Sequence, residues 1–429
     1  MKKAIILVGL ITAGTLMVSI AFAFIKPFYD YNPDTDQEIL DFNYVIGTQT
    51  VGPKYQFTDE TTLVETAREI RAMGSNLLKF SMHPRYCTEN YGLPKNEEIK
   101  SLKDLAIYEP SMKRVLNMDF KYYHIWVYGF SQYTPEPEGE KIDTSQTKFI
   151  GGYSRHYEEA LYKELYDFTA YMLREYSGTG KVFYLGHWEG DWHLRWHYDR
   201  NRPVDPATLQ GMIAWEKVRQ KAIDDAKKDT PHEGVAIYNY IEVNLVRKAI
   251  EEGVTTVANS VIPEVNPDYV SYSSYDATNP YKTKEELNTG LKESLTYIES
   301  FLSPKEGLPE GRRVWIGEYG NPANRFNEDD QDERSRWTIN AGLEWGAPFI
   351  LYWELYNNEI NPDTQEQVGY WLIDDLGQKQ KIWYTHHQFY QEARAYLKNY
   401  YSTNHQMPSQ ENFFREATRF KSLQDQQTE

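Results

Sequence analysis

Short hydrophobic runs and longer amphipathic stretches alternate along most of this chain. Apolar, β-branched and aromatic residues crowd into 42–49, 76–81, 122–128, 181–186, 234–240, 269–273, 313–317 and 348–353. Runs of that length and make-up read as buried strands. Between them, 59–73, 111–117, 156–176, 206–228, 243–252, 284–302, 330–344 and 385–399 carry apolar residues at helical spacing. Thr58 and Asp205 stand where N-caps belong, and Gly74 follows the end of the first helix. Eight strand–helix units in succession predict an α/β fold with a parallel sheet, since each helix carries the chain back to start the next strand. Their span, 40–400, fits a single (β/α)8 TIM barrel with long βα loops, at 84–110 and 129–154. A doubly wound open sheet is the structural alternative, but no G-x-G-x-x-G follows the first strand. Residues 402–429 form a polar C-terminal tail whose piece 413–423 reads as a frayed or surface-docked helix.

The first 25 residues follow another rule. Met1, Lys2 and Lys3 give a basic start, and 4–25 is apolar apart from Gly, Thr and Ser. Ala21-Phe22-Ala23 has the small-x-small form of a signal-peptidase site. The run of about 22 residues is also long enough to span a bilayer. Residues 1–25 are therefore expected to be a signal peptide or an N-terminal membrane anchor. Either places the rest outside the cytoplasm: secreted, periplasmic or on the cell surface.

Composition narrows the partners. At 429 residues with 40% hydrophobic and 25% charged positions, the chain has the make-up of a folded protein. A formal charge of −17 repels phosphate backbones, so nucleic acid is excluded as a partner. Cys87 is the sole cysteine, which excludes intrachain disulfides and CxxC chemistry. Aromatics reach 15%, with 35 Tyr and 11 Trp. Their apolar faces and polar tips suit a sugar ligand as well as a core.

In such a barrel, catalytic groups sit at the C-terminal strand ends. Strand 4 runs out into His187-Trp188-Glu189-Gly190-Asp191-Trp192, and strand 7 into Gly317-Glu318-Tyr319-Gly320. Glu189 and Glu318 each close an apolar strand amid Trp, Tyr and Gly. On strands three apart, they can face each other across the mouth. Two carboxyls about 5 Å apart can act as acid/base and nucleophile at a glycosidic bond. Asp191 and Glu242 are the alternative acids. Trp126, in mid-strand, is expected to pack inside the barrel, and Trp192 with Trp196 to line a groove or staple a loop. No HxH, HExxH, P-loop or G-x-S-x-G is present, so no metal site or cofactor is expected.

The same residues carry a resemblance. Glu189 after strand 4, "IGEYG" at strand 7 and "LYWELYNNE" at strand 8 resemble clan A of the retaining glycoside hydrolases. The resemblance implies a (β/α)8 barrel with Glu189 as acid/base and Glu318 as nucleophile. It also implies Trp353 as the platform under the sugar and Tyr275 as a hydrogen-bond donor to the nucleophile. Trp188 stands where that clan places an Asn, and Lys79 and Arg85 are the candidates for its Arg on strand 2. His187, Trp188, Tyr319 and Asn357 complete the expected substrate contacts. The expectation is an exported enzyme cleaving β-glycosidic bonds in poly- or oligosaccharides. The alternatives are a non-catalytic carbohydrate-binding barrel and, more remotely, a metal-dependent hydrolase.

Overall fold

The computed structural model describes residues 37–133 and 147–424. Residues 1–25, and with them the export segment, lie outside the described residues, as does 134–146 of the second long loop. Eight parallel strands form one sheet: β1 (Ile46–Thr48), β2 (Leu77–Met82), β3 (Tyr122–Val127), β4 (Val182–Gly186), β5 (Ala236–Val243), β6 (Tyr269–Ser273), β7 (Val314–Tyr319) and β8 (Ile350–Tyr352). Each strand from β2 to β8 pairs with its sequence neighbour, and β1 pairs with β8. A bridge between Gln49 and Lys79 joins β1 to β2 and closes the cylinder. The molecule is a (β/α)8 barrel.

Strand alternation divides the core into two layers. Outward residues such as Phe80, Ile125, Leu185, Ile241 and Ile316 pack under the helices. Inward residues form a second cluster that is mostly rings: Trp126, Tyr184, Tyr238, Tyr240, Tyr269, Trp315, Phe349 and Trp353. Part of the aromatic surplus thus fills the barrel itself. Ring pairs there meet edge to face, as at Tyr184–Trp315 (5.3 Å) and Trp315–Phe349 (5.6 Å), the geometry that ring quadrupoles favour.

Helix ends follow local chemistry. The Asp205 carboxylate accepts from Thr208 N at 2.8 Å and caps helix Pro206–Asp229. Gly74, at φ 119°, ends helix Thr62–Met73 in a conformation that favours glycine. Thr58 caps nothing: its hydroxyl donates to Glu65, and the helix begins at Thr62. The C-terminal piece is docked on the surface with its apolar face buried. Helix Gln410–Ala417 sets Phe413 5.1 Å from Phe42, and Leu423 is covered. Among the described residues, no helix is long and apolar enough to cross a membrane.

Candidate active site

Glu318 reaches the barrel mouth through an irregularity in β7. Trp315 points inward and Ile316 outward. Strict alternation would then turn Glu318 out under the helices. Between Ile316 and Tyr319 the register slips: the pairing runs Ile316↔Ile350 and then Tyr319↔Tyr352. Such a bulge re-aims the side chains beyond it. Gly317 makes room for it. A Cβ there would lie 1.8 Å from Ser271 Oγ. The buried Gly317 carbonyl accepts from Gln49 Nε2 and Lys79 Nζ, each at 3.1 Å.

Around Glu318 the strand ends converge. Lys79 on β2 donates to Glu318 Oε1 at 3.2 Å and to Glu242 Oε2 at 2.9 Å. Glu242 lies within β5, which runs on to Val243, and its other oxygen accepts the Glu189 backbone N–H at 3.1 Å. Ser271 also donates to Glu242, at 2.7 Å. Glu189 receives the Trp192 indole N–H at 2.5 Å. Ser273 Oγ lies 2.5 Å from Glu189 Oε1 and 3.2 Å from Glu318 Oε2. That shared contact puts the nearest oxygens of the two carboxyls within about 6 Å, against about 5–5.5 Å between the carboxyls of retaining pairs. Tyr275 donates to Glu318 Oε2 at 3.4 Å.

Three buried carboxyls thus meet here, and one ammonium contacts two of them, Glu242 and Glu318. Burial pushes the Glu189 carboxyl up to about 8, helped by the charge of Glu242 and opposed by its hydrogen bond from Ser273. Burial also raises Glu318, and there Lys79 is the strongest opposing influence. Asp276, at the edge of the cleft, is raised by burial to about 7 and accepts from Tyr272 and from Arg247 N.

The carboxyls open into a cleft of about 640 Å³ lined by Trp188, Trp192, Tyr275, Trp353 and Tyr370. A second lobe of about 640 Å³ adjoins it across Val51, Trp126, Trp188 and Trp192, and reaches His83, Arg85 and Trp196. Trp126 packs inside the barrel and also lines both lobes, 5.8 Å from the Trp353 ring.

Several expected contacts lie elsewhere. His187 is fully buried behind β4, with Nε2 2.7 Å from Glu216 and Nδ1 2.9 Å from its neighbour's carbonyl. Tyr319 faces outward, edge-on to Tyr352, because the bulge restores alternation one residue after Glu318. Asn357 is consumed by its own loop: Nδ2 donates to Glu359 O and Gln367, and Oδ1 accepts from Gly369 N and Tyr370 N. These three do not line the cleft, contrary to the sugar contacts expected of them. Asn358, the next residue, does line it. Asp191 accepts the N–H groups of Asn244, Leu245 and Val257 and holds loops together. Arg85 pairs with Glu89 in the second lobe, leaving Lys79 as the cation at Glu318. Ser273 and Tyr370 were not singled out by sequence. Ser273 had a signal: Tyr269, Ser271 and Ser273 form the inward row of β6, and a hydroxyl there must face the mouth.

Among the described residues, no three His, Cys, Asp or Glu side chains converge as a metal-ligand set. The fold is a (β/α)8 barrel, and solved glycoside hydrolases share it. Similar solved structures include a GH5_18 protein from Bifidobacterium longum subsp. longum (TM-score 0.53, 14% identity, 83% of this chain and 80% of that one). A GH5_18 protein from Bifidobacterium longum subsp. infantis aligns at TM-score 0.52 and 13% identity, over 81% and 78%. An exo-beta-1,4-mannosidase from Opitutaceae bacterium strain TAV5 aligns at 0.51 and 14%, over 83% and 60%. No protein-family model matches the chain, and no curated protein matches it by sequence.

Proposed function

We propose that this chain is an exported retaining glycoside hydrolase that cleaves β-glycosidic bonds in a poly- or oligosaccharide. The observation that carries the reading is the pair Glu189 and Glu318, buried, opposed and bridged by one hydroxyl in a tryptophan-lined cleft. The roles follow from what each receives. Glu318 takes donors from Lys79, Ser273 and Tyr275, which favour its carboxylate. It is the nucleophile. Burial raises both carboxyls, but Lys79 opposes that at Glu318 while Glu189 has no cation in contact, so Glu189 is the acid.

In the first step a Glu318 oxygen bonds to the anomeric carbon. The bond from that carbon to the leaving oxygen breaks, and the leaving oxygen takes the Glu189 proton. In the second step water attacks the same carbon, gives its proton to Glu189, and Glu318 leaves as carboxylate. Trp353 and Trp126 offer stacking faces for the sugar, and Trp188 supplies an aromatic wall in the position of the expected Asn.

The test is release of new reducing ends from a panel of β-glycans, β-mannosides included because one structural neighbour is named as a mannosidase. Release by the wild type and none by Glu318→Gln is the expected result. Saturable glycan binding without product would replace the enzyme with the carbohydrate-binding barrel. Export is tested by fractionating cells that express the full chain.

A further inference from the structure

A hydroxyl carries one proton. Ser273 nevertheless sits within hydrogen-bond distance of two carboxyl oxygens, 2.5 Å from Glu189 and 3.2 Å from Glu318, and is itself buried. With both carboxyls ionised, Ser273 can donate to one of them only, and its lone pairs then face the other. With a single proton on the pair, every contact is satisfied: Glu189 O–H donates to Ser273 Oγ, and the Ser273 O–H donates to Glu318. That is the protonation state in which a retaining enzyme begins its cycle.

The second half of the cycle reverses the demand. Once Glu318 is esterified it has lost its charge and accepts more weakly. Glu189, having given its proton to the leaving group, is now the ionised member. We propose that Ser273 is a positioning residue whose hydroxyl turns between the two carboxyls, donating to Glu318 before attack and to Glu189 in the glycosyl-enzyme. The turn needs rotation about one bond and moves no other atom of the site. It stabilises the acid form of Glu189 in the first step and its base form in the second. This inference rests on the glycosidase reading above.

Other charges and phenols facing the pair come from the surrounding strand ends. They include Lys79 on β2, Tyr198 after β4, Tyr240 and Glu242 on β5, Tyr275 after β6, Glu354 after β8, and Tyr370. Of these, Lys79 and Tyr275 reach Glu318 through hydrogen bonds, and Glu242 meets Glu189 through its backbone. Ser273 is the side chain bonded to both carboxyls.

The experiment compares wild type, Ser273→Ala and Tyr275→Phe by two readouts. The first is ¹³C-carboxyl NMR titration of Glu189 and Glu318, assigned with Glu→Gln variants, which needs no turnover. Ser273→Ala removes the acceptor of the Glu189 proton and a donor to Glu318, so the lower step rises, the upper step falls and the gap narrows. Tyr275→Phe moves the Glu318 step alone. The second readout is pre-steady-state hydrolysis of an activated aryl glycoside. Ser273→Ala slows deglycosylation by about tenfold or more, the scale of one lost hydrogen bond to a charged group, and a burst of aglycone appears. A gap unchanged by Ser273→Ala, or equal slowing of both steps, overturns the proposal. A narrowed gap in a protein that hydrolyses no glycoside overturns the glycosidase reading and with it the two-step cycle, while the shared proton stands.

Discussion

Two hollows open at opposite ends of the same barrel. The one at the N-terminal strand ends measures about 1050 Å³, and the one at the C-terminal ends is two adjoining lobes of about 640 Å³ each. The floor of the N-terminal hollow is Tyr122, Tyr184, Tyr238, Tyr269 and Phe349, rings that also pack the barrel interior. The C-terminal hollow is built from the same strands a few residues further on. There Tyr240 gives way to Glu242, Tyr269 to Ser271 and Ser273, and Trp315 to Gly317 and Glu318. What separates the ends is what each inward row asks of its neighbours. Rings need only contact and stabilise the fold by burial. Buried carboxyls need donors and a cation, and their hydrogen bonds fix geometry at a cost in desolvation.

This contrast predicts a division of labour. The largest effect is expected at the C-terminal end. Glu318→Gln should lower kcat by about 10⁴-fold or more, with a thermal midpoint no lower than wild type, since one of three crowded carboxyls loses its charge. Gly317→Ala should follow, because its Cβ collides with the Ser271 hydroxyl and forces it off Glu242. Activity should fall sharply in a protein that circular dichroism finds folded. Third is Lys79→Met, which leaves Glu242 and Glu318 buried without their cation. Breaking a buried pair in this way costs about 3–5 kcal/mol, measurable by urea unfolding.

At the N-terminal end the expectation inverts. Phe349→Ala should cost about 3–5 kcal/mol of stability, yet kcat per folded molecule should stay within a few-fold of wild type. An activity loss there matching that of Glu318→Gln would break the comparison. The mildest test is pH. Glu189 must carry a proton to act as acid and gives it up near pH 8. Activity should therefore be present below that value and fall as pH rises through it. Lost charge at Glu242 should move this limb down, because that charge raises the Glu189 carboxyl.

Much of the architecture was legible because a barrel strand must bury both faces, and β-branched and aromatic runs between amphipathic helices announce that. The order of strands followed from their parallel pairing. The two glutamates were legible because acids closing apolar strands stand out. The side-chain directions were not. Tyr319 was expected in the cleft and lies outside it because a bulge, set by the space at Gly317, shifts the alternation by one residue. His187 sits one residue beyond inward-facing Gly186, and so points back toward Glu216. Asn357 belongs to a loop whose path depends on hydrogen bonds across ten residues and more of chain. Lys79, two residues inward from Ser81 on β2, could be placed at Glu318 only once the cylinder had closed.

The central claim is that Glu318 bonds covalently to the sugar. Incubation with 2-deoxy-2-fluoro β-glycosides bearing an activated leaving group, followed by peptide mass spectrometry, tests it directly. One glycosyl mass is expected on the peptide containing Glu318, and none in Glu318→Gln. Hydrolysis that proceeds with inverted anomeric configuration, or a label found on a different carboxyl, would contradict it.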